Sequence, residues 1–562
     1  MRPILSTIVH GAATLVLSSC SEALPELPDF GEGVAGEITD RCVVHVTPTG
    51  NDSGDGHRWE TSKGTVQSAL LQAGDEGCDV WVAAGTYSPT TDGDRTASFE
   101  IPNGVSLYGG FTGDEVELQE RVLDGHEVTV LSGDIGVPGD VSDNSFHVVR
   151  AGAGAVLDGV TVSGGTAGAD FAHAERHGAG VHGTSDDLEI RNCTFRDNRA
   201  EFGRGGAVYS SGGYLTVLGS RFEENRADEG GALFSSGGYA HIEETVFQAN
   251  GAGRAGGTGG ALATRGDYLT ISKSVFRDNW ADGGAGAIDS TGKALTISDS
   301  ELVGNEGIFR ASALRATGDD LQVRSSAFIG NVGISSASAV SEGANARFID
   351  SKFINNDSDT VSAISGSGLT IEGCLFEGND YGVTIQGNDL WIERSVIANN
   401  NAYGDGVLVT GGSTGITNSV LADDRVPFGP TYRGVSLSLV HCTVIGHSSE
   451  EGLLSGAVEL RGTVVWNRDS SVNPLLNVSR LEAEYSLSSY EELPGAGNLL
   501  PQPPGFVDIA ARDLRLTADS PLRDRGNPEE TGEVDIDGTP RGHLPDIGAY
   551  EFVEPPSGSG AG

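Results

Sequence analysis

Basic residues are scarce in this sequence. Of 562 residues only 35 are Lys or Arg, against 79 Asp and Glu, for a net charge of −44. A surface of that sign repels phosphate backbones and anionic headgroups, which argues against nucleic acid and the lipid surface as partners. Divalent cations, or cationic groups on a matrix, suit it better. An acidic exterior also keeps a β-rich chain from associating through its edges. Past residue 19 no apolar run is long enough to span a bilayer. No His-Glu-x-x-His pair is present, which removes the zincin class. Through the middle of the chain there is no 3.6-residue apolar stripe, so long helices are not expected.

What the sequence has in abundance is Gly, 84 residues of it, and a repeat. Between residues 193 and 467 one phrase returns: a small residue, any residue, Phe, two residues, Asn. It reads Cys193-Thr-Phe195-Arg-Asp-Asn198 at its first appearance. Phe222 with Asn225, Phe247 with Asn250, Phe276 with Asn279 and Leu302 with Asn305 follow. Then come Phe328/Asn331, Phe353/Asn356, Phe376/Asn379 and Ile397/Asn400. The Asn-to-Asn steps are 27, 25, 29, 26, 26, 25, 23 and 21 residues. The register runs on, less cleanly, through Leu421/Asp424, Val444/His447 and Val464/Asn467.

A period of this length predicts a solenoid. Each period holds a second phrase, clearest in Gly205-Gly-Ala-Val208, Gly230-Gly-Ala-Leu233 and Gly259-Gly-Ala-Leu262. Most hold a short alternating strand such as Leu215/Val217 or Leu269/Ile271. One repeat therefore predicts about three short strands joined by Gly- and Asn-rich bends, one coil of a parallel β-solenoid. Coils stack about 4.8 Å apart, so equivalent residues form columns. The Phe column is interior. Two residues earlier runs a column of Cys193, Ser220, Thr245, Ser274, Ser300, Ser326, Ser351, Cys374, Ser395, Ser419 and Cys442, small enough for a narrow interior. Cys193, Cys374 and Cys442 are thus expected to be filler, not nucleophiles or metal ligands. The Asn column is expected at a bend, where Asn tolerates left-handed backbone. Its amides are suited to bonding from coil to coil.

The paired Phe-x-x-Asn and Gly-Gly-Ala-(Val/Leu) phrases resemble those of right-handed parallel β-helix proteins of the pectin-lyase-like superfold. In particular they resemble the polymorphic outer-membrane protein repeats of bacterial surface proteins. The resemblance implies an all-β fold with an N-terminal helix cap and an irregular C-terminal closing module. It implies no single activity, since this fold hosts lyases, hydrolases, adhesins and stalks alike.

Taken in order, residues 1–19 read as a signal peptide, with Arg2 ahead of a mostly apolar run. Leu17-Ser-Ser-Cys20 is similar to a bacterial lipobox, which implies cleavage before Cys20, lipidation of its thiol and an outer-membrane address. Residues 20–40 are a tether, 41–165 the cap and first coils, 166–467 regular coils, 468–552 the last coil and closing module, and 553–562 a tail. In the cap, Val66, Ala69, Leu70 and Ala73 share one face of an expected helix. Cys42 and Cys78 each precede a strand, and in an exported protein they are expected to form a disulfide. Phe506-Val-Asp508, Asp513-Leu-Arg-Leu516 and Asp535-Ile-Asp-Gly-Thr-Pro-Arg541, leading to Asp546 and Glu551, are similar to the module that ends many exported β-helix proteins.

Candidate chemistry is sparse. Residues 166–178 form an insertion holding Asp170, His173, Glu175, Arg176 and His177, with His182 just after it. Aligned on the Gly-Gly-Ala phrase, His177, Arg204 and Glu229 fall in one exposed column, a set suited to proton abstraction beside an acidic sugar. The bland reading is a stack of unlike charges. The Asp sets that bind calcium in lyases of this fold are missing from adjacent coils. No cofactor, metal site or catalytic residue is therefore assigned, and residues 140–144 suit calcium only weakly. The expectation is a monomeric, non-catalytic envelope lipoprotein that binds carbohydrate or a surface protein or serves as a spacer. A lyase or glycoside hydrolase acting on acidic polysaccharide is the alternative.

Overall fold

The structure, a computed structural model, describes residues 41–554 apart from 122, 124–128, 169–175, 254–255, 335–336, 403–405, 427–429, 447–451, 470 and 531–532. Cys20, where lipidation is expected, and insertion residues Asp170, His173 and Glu175 lie outside the described residues.

Strand follows strand in a right-handed solenoid of about 15 turns. Thirty-six strands form one wound sheet, and a second, 16-stranded sheet carries the Phe column. Pairing is parallel and in register: Phe195 lies over Phe222, Phe222 over Phe247, and Phe247 over Phe276. Their rings stack with centroids 4.8, 4.7 and 4.7 Å apart, and all four are fully buried. One finding departs from the expected three strands per coil. A typical coil has four: Val208–Ser210, Tyr214–Leu218, Arg221–Glu223 and Arg226–Glu229. The Gly-Gly-Ala phrase makes the extra corner. Gly205 sits at φ 61°, and a Cβ on Gly206 would lie 2.3 Å from the Gly231 carbonyl oxygen of the next coil. Where the phrase is lost, the corner straightens and two strands run on as one, as in Asp357–Ser367 and Asp380–Asn388.

The Asn column is more deeply placed than a bend requires. Asn198 and its successors to Asn400 are fully buried, and the left-handed residue is the one before each, such as Asp197 at φ 55° or Asn355 at φ 53°. Each amide bridges three coils. Asn225 Nδ2 donates to Phe195 O of the coil before (3.0 Å) and to Asn250 Oδ1 of the coil after (3.0 Å). The backbone N–H of Asn225 donates to that same Oδ1 (3.0 Å). The chain of amides ends at Asp424, which accepts from Asn400 N (2.7 Å) and Asn400 Nδ2 (3.0 Å).

The small column is a second ladder. Ser220 Oγ accepts from Cys193 N (3.1 Å) and donates to Leu218 O (2.9 Å), and the pattern recurs through Ser274, Ser300 and Ser326. Narrowness alone would admit Ala; the hydroxyl satisfies a backbone N–H that the bend leaves unpaired. This ladder continues past Cys442 to Thr463 and Ser486. Near its end the sheet pairs Val444 with Val465, not Val464, so the Val464/Asn467 register is one residue out. Val465 fills the interior, whereas Val464 faces outward.

Both ends are closed. Helix Val66–Glu76 buries Val66, Ala69, Leu70 and Ala73, with Thr65 Oγ1 capping Ser68 N (3.2 Å). Cys42 and Cys78 are disulfide-bonded, with Cα atoms 4.6 Å apart, at the start of paired strands Val43–Val46 and Asp79–Ala83. At the far end, the loose segment after Asn467 supplies the edge strand Asn477–Glu484 and puts Leu475 and Leu493 into the core. The closing module does not close that end. It lies along the flank of the 16-stranded sheet, where Leu514, Ile536 and Ala549 cover Ala398, Val420, Ala422 and Ile445. Buried Arg541 pins it, donating to Asn418 Oδ1 (2.9 Å) and Gly548 O (2.9 Å).

Candidate functional site

The expected column of His177, Arg204 and Glu229 is assembled. Arg204 pairs with Glu229 in register, and Arg204 Nε donates to Glu229 Oε2 (3.0 Å). Arg265 Nη2 donates to both oxygens of the same carboxylate (2.8 and 2.7 Å). The backbone N–H of Arg204 donates to His177 Nδ1 (3.0 Å). Burial, with the Arg204 charge adding to it, pushes the His177 pKa down to about 4, so the ring is neutral at pH 7. A neutral ring whose Nδ1 accepts carries its proton on Nε2, and so keeps no free lone pair for proton abstraction. Around the column lies a ring stack: His177 on Tyr209 (4.9 Å), His182 on Tyr209 (5.4 Å), Tyr209 on Phe234 (5.6 Å). The Arg204 guanidinium lies 4.9 Å from the Phe234 ring centre. The two guanidiniums of the column share the single Glu229 carboxylate.

Of the other sequence candidates, the loop at 140–144 and the three free cysteines are described. Asp140 accepts from the backbone and hydroxyl of Ser142 (2.9 and 2.7 Å), and Asp143 accepts from Val137 N (2.8 Å). Cys193, Cys374 and Cys442 are buried, and burial pushes each thiol up to about 12, so none offers a thiolate.

Sequence reasoning missed a groove on the same wound sheet, further along the solenoid. It has a volume of about 770 Å³ and runs from Ser341 to Ser479 across successive coils. Its walls are hydroxyls and amides, among them Ser365, Gln386, Asn388, Thr410 and Ser455. Glycines keep it shallow: a Cβ on Gly387 would lie 2.0 Å from Gly366 O, and one on Gly456 would lie 1.8 Å from Gly434 O. Among the described residues Glu342 is its one carboxylate and Arg433 its one guanidinium. Glu342 accepts from Arg315 Nε (2.8 Å), and Arg315 Nη1 reaches buried Asp289 (3.3 Å). The signal for the groove was there only as a loss. It lies in the coils where the Gly-Gly-Ala phrase has faded.

Comparison with known proteins agrees with this geometry. The family model for the right handed beta helix region matches residues 139–308 and 332–445, and the chain belongs to that family. No curated protein matches it. Among solved structures it is similar to a pectate lyase at 12% identity, covering 92% of this chain and 97% of that one, with a TM-score of 0.19. A mannuronic acid-specific family 6 polysaccharide lyase from human gut microbiota is 11% identical over 73% of this chain and 81% of its own, with a TM-score of 0.27. A mannuronan C-5 epimerase A-module from Azotobacter vinelandii is 12% identical over 70% and 93%, also at 0.27. Scores this low carry no argument about activity.

Proposed function

We propose that the chain is a non-catalytic binding protein of the cell envelope, exported, lipid-anchored at Cys20, and holding carbohydrate or a surface protein along its groove. The observation that carries this reading is the make-up of the groove wall: hydroxyls, amides and bare backbone over many coils, with a single carboxylate. Hydrolysis of a glycosidic bond calls for two carboxylates across the scissile linkage. Elimination calls for a base with a free lone pair beside a cation. The groove offers neither set. The column that came nearest has His177 protonated on Nε2 and Glu229 clamped between two guanidiniums.

The test uses the soluble part, from Glu22 on, with a panel of uronic-acid and neutral polysaccharides. Binding and unsaturated-product absorbance are followed together, with a reducing-end assay beside them. Saturable binding with no product supports the proposal, and turnover of any panel member would overturn it. The anchor has its own test. A Cys20→Ala protein is expected to leave the membrane fraction, and its retention there would refute lipidation as the attachment.

A further inference from the structure

A second cavity lies on the cap, on the outer face of the first coil. Residues 49–62 fold across that face. Asp52 holds the loop, accepting from Gly64 N and Thr65 N (both 2.9 Å) and from the Thr65 hydroxyl (2.9 Å). Trp59 Nε1 donates to Glu115 O (2.8 Å) and ties the loop to the turn at 112–116. Between them is a cavity of about 760 Å³, lined by His45, His57, Arg58, Trp59, Glu60 and Asp114 among others.

His45 is 9% exposed, and its ring sits edge-on to Trp59 (4.5 Å) and Trp81 (5.7 Å). Its Nδ1 lies 3.0 Å from the Gly56 carbonyl, which can only accept, so Nδ1 carries the proton. Burial holds the pKa of the ring below its ordinary value, so it is neutral with a lone pair on Nε2. That nitrogen makes no hydrogen bond to the described residues, although the ring lines the cavity. Glu60 is exposed at the rim, and its carboxylate makes no ion pair among the described residues. Glu115 is already committed. It accepts from the N–H groups of Thr112, Gly113 and Asp114 and from the Thr112 hydroxyl.

We propose that this cavity binds the ammonium group of a small amine, with His45 Nε2 and the Glu60 carboxylate as acceptors and Trp59 as the wall. An ammonium brings three donors and no acceptor, which matches an unbonded ring nitrogen and an unpaired carboxylate that line the same cavity. An indole ring also favours a cation near it. An anion would find one guanidinium, Arg58, against three carboxylates, Glu60, Asp114 and Glu115. A metal ion is poorly served: among the described residues the one close ligand trio is Cys42, Glu76 and Cys78, whose sulfurs are joined to each other. The site is separate from the groove and does not depend on it.

Calorimetry on the soluble chain tests this with glucosamine, n-butylammonium and N-acetylglucosamine. Glucosamine, n-butylammonium or both are expected to bind saturably, and the acetylated sugar to bind about tenfold more weakly or not at all, as loss of a charge-assisted bond dictates. Binding of one amine alone identifies an amino sugar or a plain alkylammonium as the source. Glu60→Gln removes an exposed carboxylate, so it is expected to leave the melting midpoint unchanged and to weaken the amine about tenfold. Equal affinity for N-acetylglucosamine, undiminished binding by Glu60→Gln, or no binding of either amine at millimolar concentration would each overturn the proposal.

Discussion

Asp424 ends the amide ladder, and replacing it with Asn should make the protein more stable at pH 8 but not at pH 4. The carboxylate is 2% exposed. It accepts from Asn400 N and Nδ2 at Oδ1 (2.7 and 3.0 Å) and from the Tyr432 hydroxyl at Oδ2 (2.7 Å). Burial is the dominant influence and raises its pKa from 3.8 to about 7, with the three hydrogen bonds pulling the other way. The folded value therefore lies above the unfolded one. Between the two, the folded chain keeps a proton that the unfolded chain has released. The stability this proton supplies is complete below about pH 4 and is lost as pH rises through 7. From 3.8 to about 7, at 1.36 kcal/mol per pH unit, the loss is about 4 kcal/mol, an upper figure.

Asn at 424 keeps the shape and the accepting oxygen, and its Nδ2 can donate to the Tyr432 oxygen. It cannot ionise, so the penalty disappears. Because a solenoid opens by segments, the readout should be local. Hydrogen exchange by mass spectrometry on peptides covering residues 396–422 and 432–446 is suited to it. Protection in Asp424→Asn should match the parent at pH 4, exceed it progressively between pH 4 and about pH 7 and level off by pH 8, after correction for intrinsic exchange. A difference that stays constant with pH, or a variant less protected at pH 8, would refute the assignment of a neutral carboxyl to the end of the ladder.

Other expectations follow from the same ladders. Asn305→Ala removes the acceptor shared by Asn279 N and Nδ2 and the donor to Phe276 O, and should cost about 4 kcal/mol in denaturant unfolding, since buried groups are left unpaired. A cost below about 1 kcal/mol would mean that the coils relax around the gap. Cys442→Ser should fall within about 1 kcal/mol of the parent, because it restores a hydroxyl in the small column. With the three thiols pushed up to about 12, the folded part from Glu22 on should not react with a thiol reagent at pH 8 until denaturant is added. Reducing the Cys42–Cys78 bridge, 36 residues apart, should destabilise the cap by about 4 kcal/mol, read as earlier exchange in helix Val66–Glu76.

Residues that face the interior were the ones legible in the sequence. Phe195 to Phe376 must stack, and Asn198 to Asn400 must bridge coils, so each position admits one kind of side chain and repeats it. The cap helix was legible for the same reason, through Val66, Ala69, Leu70 and Ala73. The hydroxyl ladder was half legible. Its residues were recognised as small, but the preference for Ser and Thr over Ala already pointed to an unpaired N–H. The column of His177, Arg204 and Glu229 was placed correctly, yet its inertness depends on which His177 nitrogen accepts, and no sequence pattern encodes that.

Sites of the other kind are illegible for a physical reason. An outward position has no neighbour to satisfy, so it need not repeat. The groove gathers Ser341, Gln386 and Ser455 from coils more than 100 residues apart, and its floor consists of positions where a Cβ would strike the next coil. The cap cavity depends on a loop that brings Trp59 and Glu60 over His45, which sits alone in a four-residue strand. In this fold, then, a binding face is expected where the pattern lapses over several consecutive coils. By that measure the coils from Ser341 to Ser479 are the part of the solenoid most open to a ligand, and the coils from Phe195 to Leu302 the part most given over to holding it together.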